Sequence, residues 1–352
     1  VFDRQFHAVS SELGNPKVAE ARAVRIQVGV AFDGMLPLPE AVEVARQAEV
    51  AGVHSLWVAE HMGYRESTLS AMAFLAATRR ATVVPTAISP YVRNPTIAAM
   101  AGATLAEAGP GRAALCVGLG NPLFLQESGV TPERPVRAVA EYLECLRALW
   151  TGEAVRYDGQ IFRLAGARLG FRLPSPVPIY VAAIKEQMLR LAGRAGDGVA
   201  LSAGITPEYT AASLSVVAEG ARAAGRDPAS VRAAGYLLVA VSPDGREAIE
   251  ACRAKLAFLL RNKFLADNVR RSGLPVDQGA IIAAVARRDM AAATRLVSDD
   301  AVEAFTVAGT PAACRARLEA FVRAGLREPV LAITGSPVHR PLALDLARAF
   351  AA

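Results

Sequence analysis

The chain has 352 residues, 53% of them hydrophobic and 20% charged, which is the composition of a folded globular protein. Its net charge of +6 comes almost wholly from scattered arginines, since lysine occurs only at Lys17, Lys185, Lys255 and Lys263. Dispersed charge argues against a nucleic-acid stripe and favours an acidic or phosphorylated ligand. No apolar run approaches the roughly 20 residues of a membrane span. The start of the chain lacks a basic-then-apolar secretory pattern. Cys116, Cys145, Cys252 and Cys314 lie far apart inside apolar periodic runs without CxxC spacing, so they read as reduced core thiols of a cytoplasmic protein.

Residues 1–23 precede the first strand and read as an N-terminal extension outside the fold, with no function assigned. From Val24 onward, short apolar strands alternate with amphipathic helices. VRIQVGVAF leads into LPEAVEVARQAEVAG, SLWVAE into a helix over 67–79, TVVPTAI into 95–108, and AALCVGLG into 132–151. PIYVAA, GVALS and VRAAGYLLVAV follow, with helices over 187–195, 207–225 and 244–262, and REPVLAIT precedes a last helix from about 341. Continuous rather than alternating apolar strands have both faces covered, as in parallel sheet, and eight such units predict a closed (β/α)8 TIM barrel as a single domain over 24–352. Two stretches exceed the minimal barrel. Residues 153–177 carry a DG turn and read as a hairpin excursion. Residues 263–305 read as extra helices on the C-terminal rim, in the position of a lid.

In such a barrel the chemistry sits where strands end. Those ends supply Ala31, Phe32 and Asp33; Glu60 and His61; Thr86, Ala87, Ile88 and Ser89; Gly118, Gly120 and Asn121; Ala182, Ala183, Ile184 and Lys185; and Ser202. This set is small, polar and glycine-rich, suited to cradling a large polar ligand. It holds no HExxH, no Cys/His cluster and no Ser-His-Asp order, so metal and acyl-transfer chemistry rank low. His61 follows an apolar strand directly and is the sharpest candidate, either functional or capping the next helix. Glu60 is either a ligand-binding carboxylate or the salt-bridge partner of a rim arginine. Lys185, near a helix start, either meets an anion there or is merely solvated. The stretch VPTAISPYVRNP is stiffened by Pro85 and Pro90, so the chain leaves the sheet in a fixed direction.

The order of AEH, SPYVRNP, GRAALCVGLGN, PVPIYVAA, GRAGDGVALS and VAGTPAACRARLEAFVRAGL across residues 25–350 resembles the luciferase-like flavin and deazaflavin oxidoreductases. SGLPVD, DDAVEAFTVAGTP and TGSPVHRP bring the likeness nearest to the coenzyme F420-dependent methylenetetrahydromethanopterin reductases. The resemblance implies a non-prolyl cis peptide near Thr86-Ala87 pressing on a deazaflavin ring, with Glu60 and His61 by the ring and Ser89 at its edge. It also implies that Ala182 to Lys185, with Ser202, lie near the ribityl phosphate and its oligoglutamyl tail. The chain has GVAF and LGN where those reductases resemble GVEF and PGD, so two carboxylates associated with the pterin become Ala31 and Asn121. Alanine can neither donate a proton nor offset a cation, and Asp33 is the nearest acid on the same strand. The resemblance therefore implies an F420H2-dependent reductase of a C=N or C=C bond in a small cyclic substrate, as in secondary-metabolite pathways. Three alternatives stand: a methylenetetrahydromethanopterin- or methylenetetrahydrofolate-type reductase, an FMN-dependent monooxygenase, and a noncatalytic cofactor-binding barrel. Relatives are homodimers or homotetramers, and apolar faces on 95–108 and 132–151 make an oligomer the expectation.

Overall fold

A computed structural model describes residues 26–351, so the extension at 1–23 and the first two residues of the expected first strand lie outside the described residues. The first half runs β1 (Gly29–Phe32), α1 (Leu38–Val50), β2 (Ser55–Ala59), α2 (Ser67–Ala77), β3 (Thr82–Thr86), α3 (Pro95–Ala108), β4 (Leu115–Val117), α4 (Pro122–Glu127) and α5 (Pro135–Leu149). A hairpin follows, β5 (Val155–Asp158) and β6 (Arg163–Ala167), the antiparallel pair of the fold. The chain continues through β7 (Ile179–Ala183), α6 (Glu186–Ala195), β8 (Gly198–Leu201), α7 (Pro207–Ala223), β9 (Arg232–Val241) and α8 (Gly245–Leu260). Four short helices come next: α9 (Ala266–Ser272), α10 (Gln278–Ala286), α11 (Met290–Arg295) and α12 (Asp299–Phe305). The chain ends with β10 (Val307–Gly309), α13 (Pro311–Arg323), β11 (Glu328–Ile333) and α14 (His339–Ala351).

Eight parallel strands form a barrel in the order β3-β2-β1-β11-β9-β8-β7-β4. Two isolated parallel bridges, Val83 to Ala113 and Ile88 to Val117, join β3 to β4 and close it. The gap between those bridges has a chemical cause. Val83 N–H donates to Arg112, and the next residue of the same parity is Pro85, which has no N–H to give. The Thr86–Ala87 peptide bond is cis.

Strand alternation sorts the core into two populations. Leu56, Val58, Val181, Val199, Leu237 and Leu331 face outward against the helices, while Trp57, Val84, Cys116, Tyr180, Ala200, Ala234 and Val330 fill the barrel. The filling is uneven along the axis. Trp57 meets Tyr180 and Tyr236 edge-on, with ring centroids 4.9 Å and 5.8 Å away, and Gly29 leaves room for it. Below these rings Glu328 is buried. It accepts from Ser55 Oγ (2.6 Å), Trp57 Nε1 (3.1 Å) and Tyr180 OH (2.8 Å). Above the rings only Ala31, Gly118 and Ala182 remain, so the barrel is plugged at its N-terminal end and recessed at its C-terminal end.

Two features differ from the sequence reading. β10 is an extra parallel strand on the far end of β9, where the sequence suggested only helices and linker. The inserted helices α10, α11 and α12 pack on the outer side of α8 rather than over the barrel. The covering element is α8 itself. The inward face of β9 (Ala234, Tyr236) continues as Leu238 and Ala240, which pack with Cys252 and Leu256 of α8, so this helix leans over the mouth.

Candidate active site

The recess is floored by residues too small to fill it. A methyl group added at Gly118 would lie 2.7 Å from Ala182 Cβ and 3.0 Å from Ala87 Cβ, so these three close on one another and leave a flat, shallow surface. Tyr236 supports it from below; burial pushes its phenol well up, and its hydroxyl, near Thr86 and Cys116, has no hydrogen-bond partner. Burial likewise pushes the Cys116 thiol up to about 12, and all four cysteines are free and buried, so none is a thiolate at neutral pH.

One wall is built by the ends of β1 and β2. His61 Nδ1 lies 3.1 Å from the Asp33 carbonyl oxygen, an acceptor only, so Nδ1 carries the proton and Nε2 keeps its lone pair. The imidazole packs edge-on to Phe124 (5.3 Å) and Tyr64 (6.2 Å). Burial, the largest cause, holds His61 below the ordinary imidazole value of 6.5, and the Lys255 and Arg261 cations add to the depression. The Asp33 carboxylate pairs with Lys255 Nζ at 3.3 Å, tying the end of β1 to α8.

Glu60 is committed elsewhere. Arg93 Nε and Nη2 donate to its two oxygens at 2.8 Å and 3.0 Å, Ser67 donates to the second, and Arg93 also reaches Glu66. A bidentate guanidinium holds this carboxylate ionised and in place, so Glu60 shapes the cleft it borders with Met62, Ala87, Val92 and Phe124. Ile88 is fully buried and spends its N–H and carbonyl on Cys116 and Gly118 in closing the barrel. Ser89, also buried, donates to the Leu119 carbonyl at 2.9 Å and fixes the loop after β4. That loop turns at Gly120 (φ 88°) and sets Asn121 as N-cap of α4, its Oδ1 accepting from Leu123 N at 3.1 Å.

The opposite wall comes from β7 and β8, which lie across the barrel from β1 and β2 in the strand order. Tyr209 OH donates to the Ile184 carbonyl at 2.5 Å and steadies the segment Ala183 to Lys185. Lys185 is exposed at the start of α6, with no side chain capping that turn and its ammonium 5.7 Å from the Phe264 ring. Ser202, half-buried, follows β8. Three residues of the site were not singled out by sequence: Arg93, 33 residues from Glu60, and Lys255 and Arg261 on the covering helix. Lys255 carried one signal, as a rare lysine in a run of apolar residues.

Comparison with known proteins agrees with this geometry. The chain matches the luciferase-like monooxygenase family model over residues 20–328. It is 31% identical over 314 residues to a 5,10-methylenetetrahydromethanopterin reductase of Methanolobus tindarius, covering 88% of this chain and 94% of that protein. It is 35% identical over 229 residues to an F420-dependent glucose-6-phosphate dehydrogenase of Nocardia farcinica, covering 61% and 68%. Among solved structures, the coenzyme F420-dependent tetrahydromethanopterin reductase of Methanopyrus kandleri superposes with a TM-score of 0.83 at 24% identity, over 92% of this chain and 97% of that one. An F420-dependent secondary alcohol dehydrogenase, in complex with an F420-acetone adduct, superposes with a TM-score of 0.77 at 25% identity, over 93% and 98%. On the family match and the barrel together, the chain belongs to the luciferase-like monooxygenase family.

Proposed function

We propose that the protein is a coenzyme F420-dependent reductase acting on a C=N or C=C bond of a small cyclic substrate. The observation that carries this reading is the flat floor of Ala87, Gly118 and Ala182, whose side chains leave space for a planar ring at the mouth. The uncapped first turn of α6, with Lys185 beside it, suits a phosphate, since free N–H groups and the helix dipole both favour an anion. Relatives named as F420-dependent support deazaflavin over flavin.

When bound, the reduced deazaflavin supplies a hydride. The residues of this chain orient the substrate and handle the accompanying proton. Phe124, Tyr64 and the His61 ring wall the recess and exclude water, while α8 covers it. His61 Nε2 is the atom free to hold a proton: neutral, it accepts a hydrogen bond; protonated, it hands the proton to the substrate atom left electron-rich by hydride addition. Ala31 and Asn121 offer no acid, which weighs against a pterin substrate despite the likeness to methanopterin reductases. The protein with reduced F420 should oxidise it without oxygen when given cyclic imines or conjugated cyclic alkenes. Oxidation that requires oxygen would favour the monooxygenase alternative.

The cytoplasm is the proposed location, supported by four free thiols; among the described residues no helix is long and apolar enough to cross a membrane. A homodimer through α2 and α3 is also proposed, because Leu69, Ile97 and Met100 are exposed there. α5 does not contribute such a face. Its apolar side, including Val139, Tyr142, Leu143 and Leu146, is spent in the core.

A further inference from the structure

Arg261 ends α8, the helix that covers the mouth. It is half-buried, its guanidinium lies 3.8 Å from the Phe258 ring centroid, and it reaches Asn121 Oδ1 at 3.4 Å. Among the described residues no carboxylate lies within 4.0 Å of it, whereas the other half-buried cations around it are spent: Arg93 on Glu60 and Glu66, Lys255 on Asp33, Arg253 on Glu250 and Asp299. Burying a guanidinium against an amide oxygen and a ring, with no counter-charge, is costly unless a ligand supplies the charge. Its positive field reaches His61, whose protonation it opposes together with Lys255.

We propose that Arg261 recognises an anionic group of the substrate, a carboxylate on the small ring that is reduced. The proposal rests on the reductase reading above and adds the substrate class to it. The alternative source of a negative charge is the phosphate and glutamyl tail of the cofactor. Topology favours the substrate. The uncapped turn at Lys185, and Ser202, lie on β7 and β8, across the barrel from the Asp33 and His61 wall, while Arg261 acts from α8 on that same wall and on Asn121. A planar guanidinium also matches a carboxylate by two parallel hydrogen bonds, as the free Nη atoms of Arg261 allow. In a cyclic imine with the carboxylate on the C=N carbon, the hydride forms a new C–H bond at that carbon. The C=N π pair moves to nitrogen, which takes one proton, and the deazaflavin is left oxidised; the product is a cyclic amino acid.

The test uses ligands that cannot be reduced. Pyrrole-2-carboxylate and pyrrole-2-carboxamide are titrated by calorimetry into the protein, alone and loaded with oxidised F420, for the wild type, Arg261→Gln, Arg261→Lys and Lys185→Ala. The expected result is carboxylate binding at least tenfold tighter than the amide, lost in Arg261→Gln and partly restored in Arg261→Lys. F420 affinity should stay within twofold in both Arg261 variants and fall in Lys185→Ala. Equal binding of the two ligands, or binding of neither, would overturn the proposal. So would a tenfold loss of F420 affinity in Arg261→Gln, which would assign that residue to the cofactor tail. A wild type that binds the carboxylate through Arg261 but does not bind F420 would sink the reductase reading and leave the anion site standing.

Discussion

His61 donates from Nδ1 to the backbone carbonyl of Asp33, 3.1 Å away, while the Asp33 carboxylate turns to Lys255. One residue thus fixes the imidazole tautomer with its main chain and neutralises a cation of the covering helix with its side chain. Replacing His61 with alanine should lower turnover more than tenfold and leave F420 affinity largely intact, because the imidazole handles the proton and the floor holds the ring. Unchanged turnover would remove His61 from the mechanism.

The same residue sets a pH dependence. Since its folded pKa lies below 6.5, His61 is neutral in both states above that value and contributes no penalty there. As pH falls below 6.5, the unfolded chain takes up a proton that the folded chain resists, and stability is lost. His61→Asn should flatten the fall in urea midpoint between about pH 6.5 and 5 relative to the wild type. In turnover the sign differs by direction. Reduction should slow as pH rises and the protonated imidazole is depleted, whereas the reverse oxidation should quicken.

Gly118 has no room for a side chain. The methyl of Gly118→Ala would sit 2.7 Å from Ala182 Cβ, so the floor must buckle, at a cost of about 1–3 kcal/mol in stability. F420 affinity in the folded variant should fall at least tenfold. Tight cofactor binding by Gly118→Ala would show that the ring does not lie on this floor.

The buried Glu328 is structural. It accepts hydrogen bonds from Ser55, Trp57 and Tyr180 at the closed end of the barrel, away from the recess. Glu328→Leu strands three buried donors at about 1–3 kcal/mol each, so a loss of about 3 kcal/mol or more is expected in urea unfolding. F420 affinity of the folded protein should not change, and a specific loss of binding would contradict the structural role.

Exposed Leu69 and Ile97 on α2 and α3 should lie in the dimer contact. The double variant Leu69→Asp and Ile97→Asp should turn a dimer into a monomer by light scattering without loss of helicity. A wild-type monomer would remove this contact from the account.

The barrel was legible because strands covered on both faces are continuously apolar, as in SLWVA and GVAL, and because each is followed by a helix of regular period. β10 was not, since three residues, Val307 to Gly309, are too few to show any period. The covering element was misplaced for a related reason. The inserted helices looked additional, but their apolar sides match the back of α8, and only three-dimensional packing shows that α8 takes the inner position. Among site residues, His61 and the small strand ends could be read from position alone. The pairings Glu60 with Arg93 and Asn121 with Arg261 join residues 33 and 140 apart, and no local pattern couples them. Glu328, a carboxylate at a strand start, reads as a rim residue until strand parity turns it into the barrel.

The central claim is deazaflavin chemistry on the small-residue floor, and the most direct measurement is a fluorescence titration of the purified protein with F420 and, separately, with FMN. Tight, saturable binding of F420 with none for FMN is the result predicted. Binding of FMN with none for F420 would contradict it and move the protein to the oxygen-using branch of its family.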